Sequence, residues 1–160
     1  ADFNGIYLAV DGQHIDNHTR VDHRAGPASS SQEYRGILSG RSRCVWNGKA
    51  IVHKGADGTD ANQENHNLLL SENAEIDAKP ELEIYADDVK CSHGTTVGQL
   101  DEAALFYLRA RGLDMQQATE ALTRAFAADL VSRTPVSATH DVISTLIESR
   151  LAELITDQMS

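Results

Sequence analysis

Nowhere along the 160 residues do lysines and arginines gather, and 14 basic residues are set against 24 acidic ones, for a formal net charge of −10. A phosphate backbone would be repelled by that mean field, so a nucleic-acid partner is excluded. No apolar run approaches the ~18 residues that a membrane span requires. The opening Ala1-Asp2-Phe3-Asn4-Gly5 has neither a basic n-region nor an apolar h-region, so no secretory signal is expected there. Cysteine is scarce. Cys44 and Cys91 stand far apart and build no disulfide framework, which fits a reduced, cytoplasmic setting. Aromatic residues make up only 5%, so the core should be aliphatic. A Gly-Lys-Ser/Thr phosphate loop, a Gly-x-Ser-x-Gly elbow and a dinucleotide fingerprint are all missing, which argues against an ATPase, a serine hydrolase and a Rossmann oxidoreductase.

What is present is unevenly spread. Ten of the eleven glycines and six of the seven histidines fall in residues 1–100. Net charge is −6 over that stretch (9 basic, 15 acidic) and −4 over the last sixty residues (5 basic, 9 acidic). Two regions are therefore expected, 1–98 and 99–160.

The second region reads as helices. Asp101 can cap a segment carrying Ala104, Leu105 and Leu108, and Gly112 suits its C-terminal turn because glycine enters the left-handed region freely. Asp114 with Gln117 three residues on has capping-box spacing. Met115, Ala118, Leu122, Phe126 and Leu130 then form a stripe at helical period. Pro135 breaks that pattern. Ser137 or Thr139 can cap a third helix with Val142, Ile143, Leu146, Ile147, Leu151, Leu154 and Ile155 on its apolar face.

The first region reads as short strands. Ile6–Val10, Ile37–Leu38, Cys44–Trp46, Ala50–His53, Leu68–Leu70, Leu82–Tyr85 and Val89–Ser92 are apolar pieces between Gly, Asn and Asp. From Leu38 onward their centres recur about every 7–9 residues, a rhythm that suits a solenoid, although a hairpin sandwich has similar spacing. Asn65, Asn67 and Asn73 fit the tight corners of such a coil.

Two constellations could carry chemistry. In Asp87-Asp88-Val89-Lys90-Cys91-Ser92-His93-Gly94, strand alternation puts Val89, Cys91 and His93 on one face. A thiol and an imidazole so placed can reach one soft or borderline metal ion. Two ligands do not complete a site that normally wants four, and the spacing alone favours a buried cysteine beside a hydrogen-bonded histidine. In His14-Ile15-Asp16-Asn17-His18-Thr19-Arg20-Val21-Asp22-His23, the residues His14, Asp16, His18 and Arg20 share a strand face. Here a metal-dependent enzyme using His14, His18 and His23 competes with a polar ladder of Asp–Arg and Asp–His pairs. Cys44 and the single His53 and His66 read as structural, with His66 in a turn or small polar network.

The run Lys79-Pro80-Glu81-Leu82-Glu83-Ile84-Tyr85-Ala86-Asp87-Asp88-Val89-Lys90-Cys91-Ser92-His93-Gly94-Thr95-Thr96-Val97-Gly98 resembles the SufB/SufD family of the SUF iron–sulfur cluster assembly system. Leu68-Leu69-Leu70, Asn17–His23, Val45-Trp46-Asn47-Gly48-Lys49 and Leu105–Gly112 are similar to other parts of that family. The likeness covers nearly the whole chain and is weakest over 131–160. It implies a right-handed parallel β-helix followed by a small C-terminal helical domain. It further implies a non-catalytic scaffold that pairs with a SufB-like paralogue through the β-helix and docks the SufC ATPase through the helices. His93 matches the family's proposed cluster or iron ligand, and Cys91 its neighbouring cysteine. A transient iron–sulfur cluster or iron at the partner interface is thereby expected, with nothing stably bound to this chain alone. Family members carry more β-helix turns, so the chain is expected to be a C-terminal fragment. Its open first coil is then expected to let it dimerise, which a strictly monomeric mass by light scattering would refute. A metal-free interaction module is the bland alternative.

Overall fold

The computed structural model describes residues 1–133 and 137–157, with side chains through residue 154. Seven strands come first: Asp2–Ala9 (β1), His14–His23 (β2), Ser29–Leu38 (β3), Arg43–Val52 (β4), Asp60–Leu69 (β5), Glu75–Ile84 (β6) and Lys90–Gly98 (β7). The helices Glu102–Ala110 (α1), Met115–Arg133 (α2) and His140–Asp157 (α3) follow, with a single 3₁₀ turn at Ser137–Thr139. The odd strands make one parallel sheet in the order β1-β3-β5-β7, and the even strands make a second in the order β2-β4-β6. Each coil thus gives one strand to each sheet. Ser29 stacks on Asp60 and Asp60 on Lys90, so equivalent residues lie one coil apart in register. This is the expected parallel β-solenoid with a helical unit behind it, and it rules out the hairpin sandwich.

The strands are longer and fewer than the sequence rhythm implied. Cys44–Trp46 and Ala50–His53, read as two strands, are the two halves of β4, with His53 just past its end. Between them lies Asn47-Gly48-Lys49, which separates the two apolar pieces in sequence. Gly48 is there for a different reason: a Cβ on it would sit 2.4 Å from Cη2 of the Trp46 ring, so only glycine admits that indole. Asn65 and Asn67 also overturn their expectation. They are buried in mid-β5 instead of turning a corner, whereas Asn73 does lie in a turn. Inside the coil Asn65 Nδ2 donates to Tyr7 Oη at 3.0 Å, and Asn67 Nδ2 donates to Asn65 Oδ1 at 2.6 Å. Buried amides tolerate a strand interior when they satisfy one another in this way.

Two apolar layers hold the molecule. Tyr7, Ala9, Leu38, Cys44, Trp46 and Ala74 fill the space between the sheets. Ile37 and Leu68, on the outer face of the four-stranded sheet, pack against Ala127, Val131, Ile147, Leu151 and Leu154 of α2 and α3. That second layer explains a contrast in the strands. The C-terminal half of β3 is buried almost without interruption because both of its faces are covered, whereas β2 and most of β4 alternate because their outer face meets solvent. Cys44 lies in the inner layer as expected, and burial pushes its thiol up to about 11, leaving it unreactive.

The helix ends follow their sequence signals. Asp101 caps α1 by accepting from Ala103 N at 3.0 Å. Gly112 closes that helix with φ of +100°. At the start of α2, Gln117 N donates to Asp114 Oδ1 at 2.8 Å while Asp114 N donates to Gln117 Oε1 at 3.0 Å, a reciprocal capping box. Of the expected stripes, Ala118, Leu130, Ile147, Leu151 and Leu154 are buried, but Met115, Val142 and Leu146 face solvent. Pro135 and the side chain of Ile155 lie outside the described residues.

His23 sits where the coil turns from one sheet to the other, buried, with Nε2 2.8 Å from Ser30 Oγ. Burial holds its imidazole below the ordinary 6.5. The folded state therefore binds this proton less readily than the unfolded chain. The resulting stability is complete above about pH 6.5 and declines as pH falls toward the depressed folded value. A His23→Gln variant should flatten the melting temperature between pH 5 and about 6.5. An unchanged slope in a thermal melt series would place the acid sensitivity elsewhere.

Candidate functional site

β7 is an edge strand: it pairs with β5 on one side and has no neighbour among the described residues on the other. Its register sets Cys91 opposite Ala61 and His93 opposite Gln63. Ala61 and Gln63 are wholly buried in the coil interior, so Cys91 and His93 occupy the same inward face one coil further on. Cys91 is half-buried and His93 is exposed, because no coil among the described residues covers β7. Thiol and imidazole are thus two residues apart on one face of an open edge. Burial raises the Cys91 thiol above its ordinary value, a backbone hydrogen bond at Ala61 offsets part of that, and the Asp60 charge adds to it. The thiol is protonated at neutral pH and must lose its proton to ligate a soft metal.

The open end of the solenoid also exposes apolar side chains. Ile84, Tyr85 and Val97 are exposed there. Following β7 directly, α1 buries none of its residues and leaves Phe106 75% exposed. Large apolar side chains grouped in this way mark contact surfaces more often than isolated ones do.

The histidines of β2 do not converge. His14 and His18 point outward with Asp16 and Arg20, but His23 has the opposite parity and points inward. A pleated strand cannot bring the two sets to one ion. Three of the outward residues are paired: His18 Nε2 lies 2.8 Å from Asp16 Oδ1, and Arg20 Nε donates to Asp22 at 2.7 Å. Asp22 is shared with His53 at 2.8 Å, and these two hydrogen bonds hold its carboxyl far below the ordinary range. The polar ladder is what this segment builds.

Sequence reading missed a second cluster. Glu33, Glu64 and His66 place one ligand atom each within 4.8 Å of one another on the outer face of the four-stranded sheet. Glu64 and His66 show a strand-face spacing in sequence, but Glu33 comes from the previous coil and only the register reveals it. Its carboxylate is already taken. Arg35 Nη2 donates to Glu33 Oε1 at 2.9 Å, and Arg133 Nη1 donates to Glu33 Oε2 at 2.9 Å. Two guanidinium charges at that carboxylate oppose a cation, so the cluster ties α2 to the sheet. His66, expected in a turn or a small polar network, lies in mid-β5 and bridges Glu64 at 3.2 Å and Thr96 at 2.9 Å.

Fold and edge together define a parallel β-solenoid protein that carries a thiol–imidazole pair on an edge strand and a helical unit on one sheet. Residues 1–126 match the family model described as the SUF system FeS cluster assembly SufBD core domain. The chain belongs to that SufBD family. It is 45% identical over 127 residues to the iron–sulfur cluster assembly protein SufD of Escherichia coli, covering 79% of this chain and 30% of that protein. It is 35% identical over 159 residues to an iron–sulfur cluster assembly SufBD family protein of Mycobacterium leprae, covering 94% of this chain and 41% of the relative. A third relative, protein ABCI7 of Arabidopsis thaliana, named as chloroplastic, is 37% identical over 133 residues, covering 81% of this chain and 28% of its own length. The chain thus spans about three to four tenths of the relatives it matches. Among the described residues no helix is long and apolar enough to cross a membrane.

Proposed function

We propose that this chain is part of a non-catalytic scaffold for iron–sulfur cluster assembly in the cytoplasm. Its solenoid pairs with a SufB-like paralogue, its helices dock the SufC ATPase, and His93 with Cys91 meets the nascent cluster or iron at the paired edge. The observation that carries this reading is the shared inward face of Cys91 and His93 on the open strand β7. An edge strand offers unpaired backbone groups to a second sheet. Two ligands on such an edge are half of a four-ligand site, which fits cargo held between two chains and released, not a resident cofactor. Exposed Phe106 and Tyr107 on α1 give the ATPase an apolar surface to dock on. The opposite edge of the four-stranded sheet, β1 of the first coil, allows two copies of the chain to pair.

The test is cluster assembly by the complex carrying His93→Ala. Reconstituted cluster, read from visible absorption, should fall at least tenfold while the subunits still co-elute on gel filtration. The double variant His14→Ala/His18→Ala should assemble clusters as the wild type does. If the double variant loses the cluster and His93→Ala does not, the site has been placed on the wrong strand. If SufC is retained after removal of residues 99–160, the docking half of the proposal fails.

A further inference from the structure

The register places three side chains in one inward column of the four-stranded sheet, Gln32 on β3, Gln63 on β5 and His93 on β7. Gln32 is anchored, since Thr19 Oγ1 donates to its Oε1 at 2.7 Å across the coil. Gln63 is not. It is 0% exposed, and neither its Oε1 nor its Nε2 has a hydrogen-bond partner. Opposite it stands Gly48, where a Cβ would come within 3.3 Å of Gln63 Nε2, so the facing sheet offers this amide room but no polar group at that position. A buried amide with both ends unpaired is costly, and such groups in native proteins call for an explanation. One coil below, at the usual inter-strand spacing of about 4.8 Å, Gln32 Nε2 is an unpaired donor. One coil above lies His93.

We propose that Gln63 is a positioning residue for His93, its amide oxygen accepting the N–H of one ring nitrogen so that the other keeps its lone pair for the metal. This rests on the reading of His93 as a ligand. The carbonyl oxygen has two lone pairs and can accept from Gln32 Nε2 as well, so the column becomes an anchored ladder running Thr19, Gln32, Gln63, His93. Metal-binding histidines commonly donate their second ring N–H to such a group, which selects the tautomer and the ring orientation. The same ladder counters the freedom that an imidazole on an open edge would otherwise have.

Co(II) titration of the chain assembled with its SufB-like partner, which supplies the remaining ligands, followed by visible absorption, tests this. Gln63→Leu should weaken Co(II) binding by about tenfold or more, the usual loss when such a partner is removed. Gln63→Glu supplies an acceptor oxygen at the same place and should stay within about threefold of the wild type. Gln32→Leu removes the rung that anchors Gln63 and should weaken binding, by less than Gln63→Leu does. A merely structural amide predicts the reverse order, because leucine suits a buried site and a buried carboxylate does not. Gln63→Leu binding within twofold of the wild type, or Gln63→Glu losing as much as Gln63→Leu, overturns the inference while His93→Ala still abolishes binding. If the wild type takes up no Co(II), or His93→Ala takes it up undiminished, the ligand reading itself falls and the role of Gln63 falls with it.

Discussion

Replacing Arg35 with alanine should cost about 3 kcal/mol or more and free α2 from the solenoid. Arg35 has only 8% of its side chain exposed, yet it carries a full charge. It donates from Nη1 to the carbonyl of Phe126 at 2.5 Å, from Nη2 to Glu33 at 2.9 Å, and also to Asp129. Its guanidinium carbon lies 5.2 Å from the centre of the Phe126 ring. Removing it leaves Glu33, 11% exposed, with Arg133 alone. Breaking a buried pair from one side is the expensive case, about 3–5 kcal/mol, whereas an exposed, solvent-screened pair such as Arg41–Asp11 contributes little. Urea unfolding should show the loss, and limited proteolysis should cut first within α2. A change below 1 kcal/mol would mean that the apolar layer alone holds the helices. The pH dependence follows the same contacts. Asp129 is held below the ordinary carboxylate value by its hydrogen bonds to Arg133 and Arg35. Its contribution is complete above about pH 4 and is lost as pH falls through the depressed folded value.

Trp46→Ala should be as damaging, at about 3–5 kcal/mol. The indole is wholly buried between the sheets, 5.7 Å from the Tyr34 ring, and it closes over Gly48. Gly48 and Ala50, its neighbours on the inward face of β4, bring little volume to refill the space. Set against a typical total stability of about 5–15 kcal/mol, that loss would leave little folded margin. Trp46→Phe should cost far less, since its smaller ring also removes an Nε1 that has no hydrogen-bond partner. Chemical denaturation of both variants checks this. Equal losses would show that the volume of the ring is not what stabilises the coil.

Much of this was legible from residue types alone, and the failures have a common cause. Helix caps depend on neighbours three or four residues away, so Asp101, Gly112 and the Asp114–Gln117 pair could be read directly. Strands in a solenoid depend on neighbours about thirty residues away. β4 looked like two pieces because the indole that needs Gly48 in mid-strand cannot be recognised from composition. Asn65 and Asn67 looked like corners because Tyr7, their partner, lies a coil and more upstream. Val142 and Leu146 looked like core because periodicity shows a stripe but not how much of it the sheet covers.

The candidate site divides in the same way. That Cys91 and His93 share a face follows from strand parity, and parity also separates His14 and His18 from His23. No parity argument could show that this face turns inward, that β7 is an open edge, or that Gln63 lies beneath His93. Those facts come from the stacking of coils, which sets residues at long sequence separation side by side. The sequence alone determined an acidic chain poor in aromatics, its two regions, its helix boundaries and the parity of its polar residues, because each is set by composition or by contacts within a few residues. Only the tertiary structure decided which parity is inside, which strands lie at an edge and which buried amide lacks a partner, because those depend on the register between coils.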